Sequence, residues 1–147
     1  CIVSYSDIFY GSVAVQALMN CTSALAVTYD PNWLELWKQR FAAPLLDAET
    51  FRLNASSILE EIGNKPHSVE EIDGQYMGLL RITPEGWQAI QKVRANMSDI
   101  DRDQLQMTGV LQSIISQYCL SVLAIPNSEP WGEIDSETDL SVYSGQS

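Results

Sequence analysis

Apolar residues change their spacing several times along the chain, and each change predicts an element. Ile2, Val3 and Tyr5, broken only by serines and followed by Asp7, predict a central strand over residues 1–6 that runs into an aspartate. Val13, Val15, Ala17, Leu18 and Met19 supply the apolar surface of a helix over about 12–20. Residues 24–29 read as a second strand, closed by the turn signal Asp30-Pro31. Strand, helix and strand with short connections predict a right-handed parallel unit.

The middle of the chain is less regular. Residues 32–46 are rich in Trp, Leu and Phe without clean periodicity, which predicts a short helix mixed with loop. Phe51-Arg52-Leu53 and Ile58 to Ile62 flank Asn54-Ala55-Ser56-Ser57 as a hairpin would, and Gly63 to Pro66 turns the chain again. Gln75 to Ile82 reads as a further strand. Thr83-Pro84-Glu85 is a helix start, with a Thr cap, Pro in the first turn and an acid at the positive end of the dipole. Trp87, Ile90, Val93 and Met97 follow at helical spacing and predict a core-facing stripe. Ser98 to Asp103 reads as a solvated helix start. Thr108 is expected to cap a helix whose apolar face is Val110, Leu111, Ile114, Ile115 and Tyr118. Residues 121–125 predict a strand stopped by Pro126. Trp131 to Ile134 predict a short strand delivering Asp135, after which Ser136 caps a terminal helix with Asp139 in the capping-box position. The order predicts a single α/β domain over residues 1–147, a mixed sheet flanked by helices.

Composition narrows the function classes. The 46% apolar and 18% charged shares are those of an ordinary globular chain. Eight Lys and Arg against nineteen Asp and Glu give a formal charge of -11, a field that repels phosphate backbones and argues against nucleic-acid binding. No apolar run approaches the roughly 20 residues of a membrane span. Cys1, Cys21 and Cys119 are scattered, which argues against a disulfide framework or zinc knuckle and for a cytoplasmic setting. Three short N-glycosylation patterns, at Asn20, Asn54 and Asn96, are read as chance occurrences, and Cys1 as a strand residue rather than a lipidated one.

Two places repeat one design: Asp7 follows a strand, and so does Asp135. Ligands in open α/β sheets gather beyond the carboxyl ends of strands, and two carboxylates on neighbouring strands make an oxygen-rich site suited to Mg²⁺. On spacing alone, a turn residue and a helix-start acid account for the pair slightly better. Trp33, Trp37, Tyr76 and Trp131 are aromatic faces able to hold an ammonium, with Glu133 or Asp30 as the charge; the same aromatics also read as core. His67 reads as a solvated turn residue. Arg81 is open between a phosphate ligand and a solvent-facing strand residue.

Four stretches carry a resemblance. Val3 to Ile8, Tyr29 to Phe51, Gln75 to Gly86 and Trp131 to Leu140 occur in this order. Together they resemble the nucleotidyltransferases of the phosphocholine cytidylyltransferase type, relatives of the sugar-1-phosphate nucleotidyltransferases. The likeness covers nearly the whole chain. It implies a Rossmann-like nucleotidyltransferase fold and transfer of a cytidylyl group from CTP to phosphocholine or a related phospho- or phosphono-amine, with release of pyrophosphate. It also implies that Asp7 and Asp135 hold Mg²⁺, and that Tyr76, Glu133 and either Trp33 or Trp37 form the amine pocket. Transfer to a sugar 1-phosphate, or a non-catalytic amine-binding module, are the alternatives.

Members of that family begin with a strand leading into a Gly-rich loop that carries basic residues for the triphosphate. Residues 1–147 contain no such loop. The expectation is a domain lacking its N-terminal nucleotide-binding part, inactive by itself. Its open sheet edge would invite pairing with the missing segment or with a second copy.

Overall fold

The computed structural model describes residues 1–40, 42–117 and 120–145. Phe41, Tyr118 and Cys119 lie outside the described residues. The elements follow in chain order: β1 Ile2–Ser4, β2 Ile8–Tyr10, α1 Ser12–Asn20, β3 Leu25–Asp30, α2 Trp33–Arg40, α3 Pro44–Asp47, β4 Phe51–Leu53 and β5 Leu59–Ile62. After a 3₁₀ turn at Val69–Glu71 come β6 Gln75–Ile82, α4 Pro84–Ala95, α5 Asp99–Gln104, α6 Met107–Ser116, β7 Val122–Pro126, β8 Trp131–Glu133 and α7 Glu137–Ser144.

The main sheet has the order β1-β6-β3-β7 and is mixed: β6 is antiparallel to both β1 and β3, while β3 and β7 are parallel. β1 and β3 therefore run in the same direction, as the strand–helix–strand pattern requires, but β6 lies between them. This corrects the sequence expectation of a central first strand, because β1 is at the sheet edge. The reason is burial. β6 is eight residues long with an inner run buried on both faces, whereas β1 is three residues long and half exposed. Inner positions go to strands that can be covered on both sides.

β3 shows that double covering. Leu25, Val27 and Tyr29 face a core formed with α4, α6 and the β4–β5 hairpin, while Ala26 faces α1 through Ala14 and Leu18. All six β3 residues are buried. A third cluster, Trp33, Trp37, Ala48, Ile72, Met77 and Trp131, lies beside the sheet.

Local signals fix several boundaries. Thr83 Oγ1 accepts from the Gly86 N–H and opens α4, and Ser136 and Asp139 form the capping box of α7. The β4–β5 hairpin closes through Asn54, whose side chain accepts from the N–H groups of Ser56 and Ile58. Two expectations fail. Trp87 does not join the core but is 50% exposed, because the stripe that meets the sheet is Gly86, Ala89, Ile90 and Val93. Thr108 does not cap α6: the helix starts at Met107, and Thr108 is buried in its first turn. Among the described residues no helix is long and apolar enough to cross a membrane.

Candidate functional site

The chain bends at Tyr5 and Ser6 and leaves the main sheet to form β2, which pairs antiparallel with β8 in the register Ile8↔Glu133. The pairing extends one residue further, where the Ile134 N–H donates to the Asp7 carbonyl at 2.9 Å. Asp7 and Asp135 are thereby set at the same end of one small ribbon, 128 positions apart in sequence (135 less 7). Adjacent residues on a strand point to opposite faces and alternate ones to the same face, so Glu133 and Asp135 can share a face. Ligand oxygens of Asp7, Glu133 and Asp135 lie within 4.8 Å of one another.

Arg40, at the end of α2, anchors this group from the buried side. Its side chain is 1% exposed. It donates to Asp139 through Nε at 2.7 Å and Nη2 at 3.1 Å, and reaches Glu133 at 3.5 Å and Asp135 at 3.6 Å. Its guanidinium also lies 5.0 Å from the Trp37 ring centroid. Burial opposes the Arg40 charge, but the Asp139 hydrogen bond and attraction to the acids outweigh it, so Arg40 stays ionised. The same bond holds Asp139 down at about 2. Asp139 also accepts from the Asp135 and Ser136 N–H groups, which ties the α7 cap to the acid cluster.

The acids lack enough positive charge. Four carboxylates gather around one guanidinium, a formal excess of three negative charges. Desolvation raises Glu133, reinforced by Asp135. Desolvation also raises Asp135, reinforced by its hydrogen bond to Asp7 and the Asp7 charge. Oxygen-only ligands, near convergence and a deficit of positive charge are the conditions that a hard divalent cation satisfies. The residues present fit Mg²⁺.

Beside the acids is a cleft of about 280 Å³, lined among others by Tyr5, Trp37, Arg40, Glu49, Tyr76, Glu133 and Asp135. A bulge in β6 shapes its wall. The register against β3 shifts between Val27 and Tyr29, Gly78 takes φ +82°, and the Gly78 carbonyl accepts from the Tyr5 N–H at 2.9 Å. Tyr5 packs directly on Gly78 and meets Tyr76 edge-on, with centroids 5.8 Å apart at 86°.

The residues singled out from sequence divide into two groups. Asp7, Asp135, Glu133, Tyr76 and Trp37 meet at the acid cluster and its cleft. Trp33, Trp131 and Asp30 do not line it. Both tryptophans belong to the third apolar cluster, and Asp30 is buried with its oxygens accepting from Trp131 Nε1 at 2.8 Å and Asn32 N–H at 2.7 Å. Arg81 donates to the Ser23 carbonyl at 2.8 Å and does not line the cleft. His67 sits exposed in its turn, its N–H donating to Glu71. Sequence reading missed Arg40 and Glu49. Both lie within the stretch Tyr29 to Phe51 that carries the family resemblance, but their neighbours in the cleft come from remote segments, which no local pattern reveals.

No protein-family model matches the sequence. The structure is similar to a Bacillus anthracis protein described as a glucose-1-phosphate thymidylyltransferase and solved with sucrose. The TM-score is 0.69 at 11% identity, over 99% of this chain and 53% of that one. The chain thus has a nucleotidyltransferase-like fold, a mixed sheet flanked by helices. In sequence it is similar to the CTP:phosphoglutamine cytidylyltransferase of Campylobacter jejuni subsp. jejuni serotype O:2, at 37% identity over 150 residues and 96% of this chain. It spans 57% of that relative's length.

Proposed function

We propose that this chain supplies the metal-binding acids and the acceptor pocket of a CTP-dependent cytidylyltransferase acting on a small phosphorylated acceptor. The observation that carries the reading is the convergence of Asp7, Glu133 and Asp135, from two segments that the β2–β8 pairing brings together. The similarity to the Campylobacter cytidylyltransferase supports the nucleotide, and the relative's substrate, phosphoglutamine, supports an acceptor that is a phosphorylated amine or amide.

In this reaction an acceptor phosphate oxygen forms a bond to the α-phosphorus of CTP while the bond to the bridging oxygen breaks. Pyrophosphate leaves with the electron pair. Asp7, Glu133 and Asp135 would hold Mg²⁺, which when bound draws phosphate oxygens together and neutralises the charge they develop. Arg40 keeps Glu133 and Asp135 turned toward the cleft, because each carboxylate is attracted to a guanidinium that is itself fixed by Asp139 and Trp37. The cleft walls at Tyr5 and Tyr76 seat the acceptor beside the acids. Positioning and electrostatics suffice for such a transfer, and no covalent nucleophile is required.

Mn²⁺, followed by electron paramagnetic resonance, reports directly on the acids. Asp7→Asn and Asp135→Asn are each expected to weaken its binding by about tenfold or more, as loss of a charged ligand does. Unchanged affinity in both variants would overturn the reading.

A further inference from the structure

Asp139 sits at the third position of α7, where a capping box asks only for a hydrogen-bond acceptor. One of its oxygens meets that need. Oδ2 accepts from the Asp135 N–H at 3.0 Å, the Ser136 N–H at 3.1 Å and the Ser136 hydroxyl at 3.1 Å. A neutral amide oxygen could do the same. The other oxygen does something a cap does not require. Oδ1 accepts from Arg40 Nε at 2.7 Å, and Arg40 Nη2 reaches Oδ2 at 3.1 Å. The pair is sealed on both sides, since the Asp139 side chain is only 6% exposed.

The other acids give that pair a consequence for the metal site. Glu133 and Asp135 lie next in line for the same guanidinium, at 3.5 and 3.6 Å, and are far more open, at 27% and 55% exposure. A carboxylate held by arginine in short bidentate bonds gives its lone pairs to N–H groups and has fewer left for a cation. Asp139 takes the short bonds and leaves Glu133 and Asp135 the long ones. A buried guanidinium stripped of its partner is strongly unfavourable, so it shifts toward whatever anion is nearest. Here those anions are Glu133 and Asp135, two of the three acids that converge with Asp7.

We propose that Asp139 is a positioning residue of the metal site: by engaging Arg40 in a bidentate pair, it holds the guanidinium off Glu133 and Asp135 and reserves their oxygens for a divalent cation. The proposal rests on the cytidylyl-transfer reading and on its assignment of the acids. Asp139 is not itself a ligand. It acts through Arg40 and through the backbone N–H of Asp135.

Mn²⁺ binding followed by electron paramagnetic resonance separates this role from helix capping. Asp139→Asn keeps an acceptor for the cap and removes no ligand, yet should weaken Mn²⁺ about tenfold or more, because Arg40 closes on Glu133 and Asp135. Adding Arg40→Gln to Asp139→Asn removes the competitor, and should bring affinity back to within about threefold of the wild type. Arg40→Lys leaves every formal charge in place and loses only the fork, so it should weaken binding by a smaller factor, about threefold. Circular dichroism checks that each variant is folded, and where Asp139→Asn does not fold, Arg40→Lys carries the test. Unchanged affinity in Asp139→Asn or in Arg40→Lys overturns the proposal, as does a double variant as weak as Asp139→Asn. Wild-type protein and Asp7→Asn separate the two levels. Mn²⁺ bound by the first and lost by the second leaves the acids assigned even if the role of Asp139 falls. Absence of wild-type binding overturns both.

Discussion

Arg40 carries a single positive charge into a group of four carboxylates and is nearly sealed from solvent. Its two bonds to Asp139 make a bidentate pair, the geometry in which arginine outperforms lysine. Breaking a buried pair by removing one member leaves the other charge uncompensated, at about 3–5 kcal/mol. Arg40→Ala is therefore expected to lose about that much stability in urea unfolding, and Arg40→Lys to recover only part of it. A loss near zero would mean that Asp139 finds water or another donor. Nothing in the sequence points to this residue: its partners lie 93 and 99 positions away, and it looks like the basic last turn of a helix. Sequence reading offers Glu133 as the acid of an amine pocket, not as a partner of Asp7 and Asp135. Its membership in the acid cluster depends on strand pairing, which no local pattern encodes.

Elements with a complete local signature were readable, and those that depend on a distant partner were not. Thr83-Pro84 and Ser136 with Asp139 announce their helices because cap and first turn are neighbours in sequence. The edge position of β1 and the exposure of Trp87 depend on where β6 inserts and on which face of α4 meets the sheet. The β6 bulge belongs to the second kind. Gly78 sits at φ +82°, and a Cβ there would meet Tyr5 Cγ at 2.7 Å. Left-handed backbone and steric overlap act together, so Gly78→Ala is expected to destabilise by about 1–3 kcal/mol. Because Tyr5 must move, the variant should also lose near-ultraviolet circular dichroism from the Tyr5–Tyr76 pair. Destabilisation with an intact tyrosine signal would place the strain elsewhere in the strand.

The whole molecule carries a formal charge of -11, and the acid cluster concentrates part of that excess at one end. Protonation should affect stability in two opposite ways. Glu49, Glu133 and Asp135 have folded-state affinities for protons raised above their ordinary values, so the native state binds protons more readily than the unfolded chain. Stability from these groups falls as pH rises through their raised values and is regained on acidification. Asp139 works the other way. Held at about 2 by Arg40, it stabilises fully above its unfolded value near 4, and that contribution is lost as pH falls from about 4 through 2. Metal-free protein should therefore be more stable at about pH 5 than at pH 7.5, and should unfold steeply below about pH 4.

A divalent cation at neutral pH takes the place of the protons that relieve Glu133 and Asp135 on acidification. Mg²⁺ at a hundredfold excess over its Kd should add about 2.7 kcal/mol. For a domain of this size that corresponds to an increase in Tm of roughly 5–10 °C. The increment should shrink as the solution is acidified, because protons and metal compete for the same oxygens. Thermal unfolding with and without Mg²⁺ at pH 7.5 and pH 5 measures both effects, and Asp135→Asn should flatten the difference. A Tm shift that is equal at the two pH values would show that Mg²⁺ stabilises the fold somewhere other than at Asp7, Glu133 and Asp135.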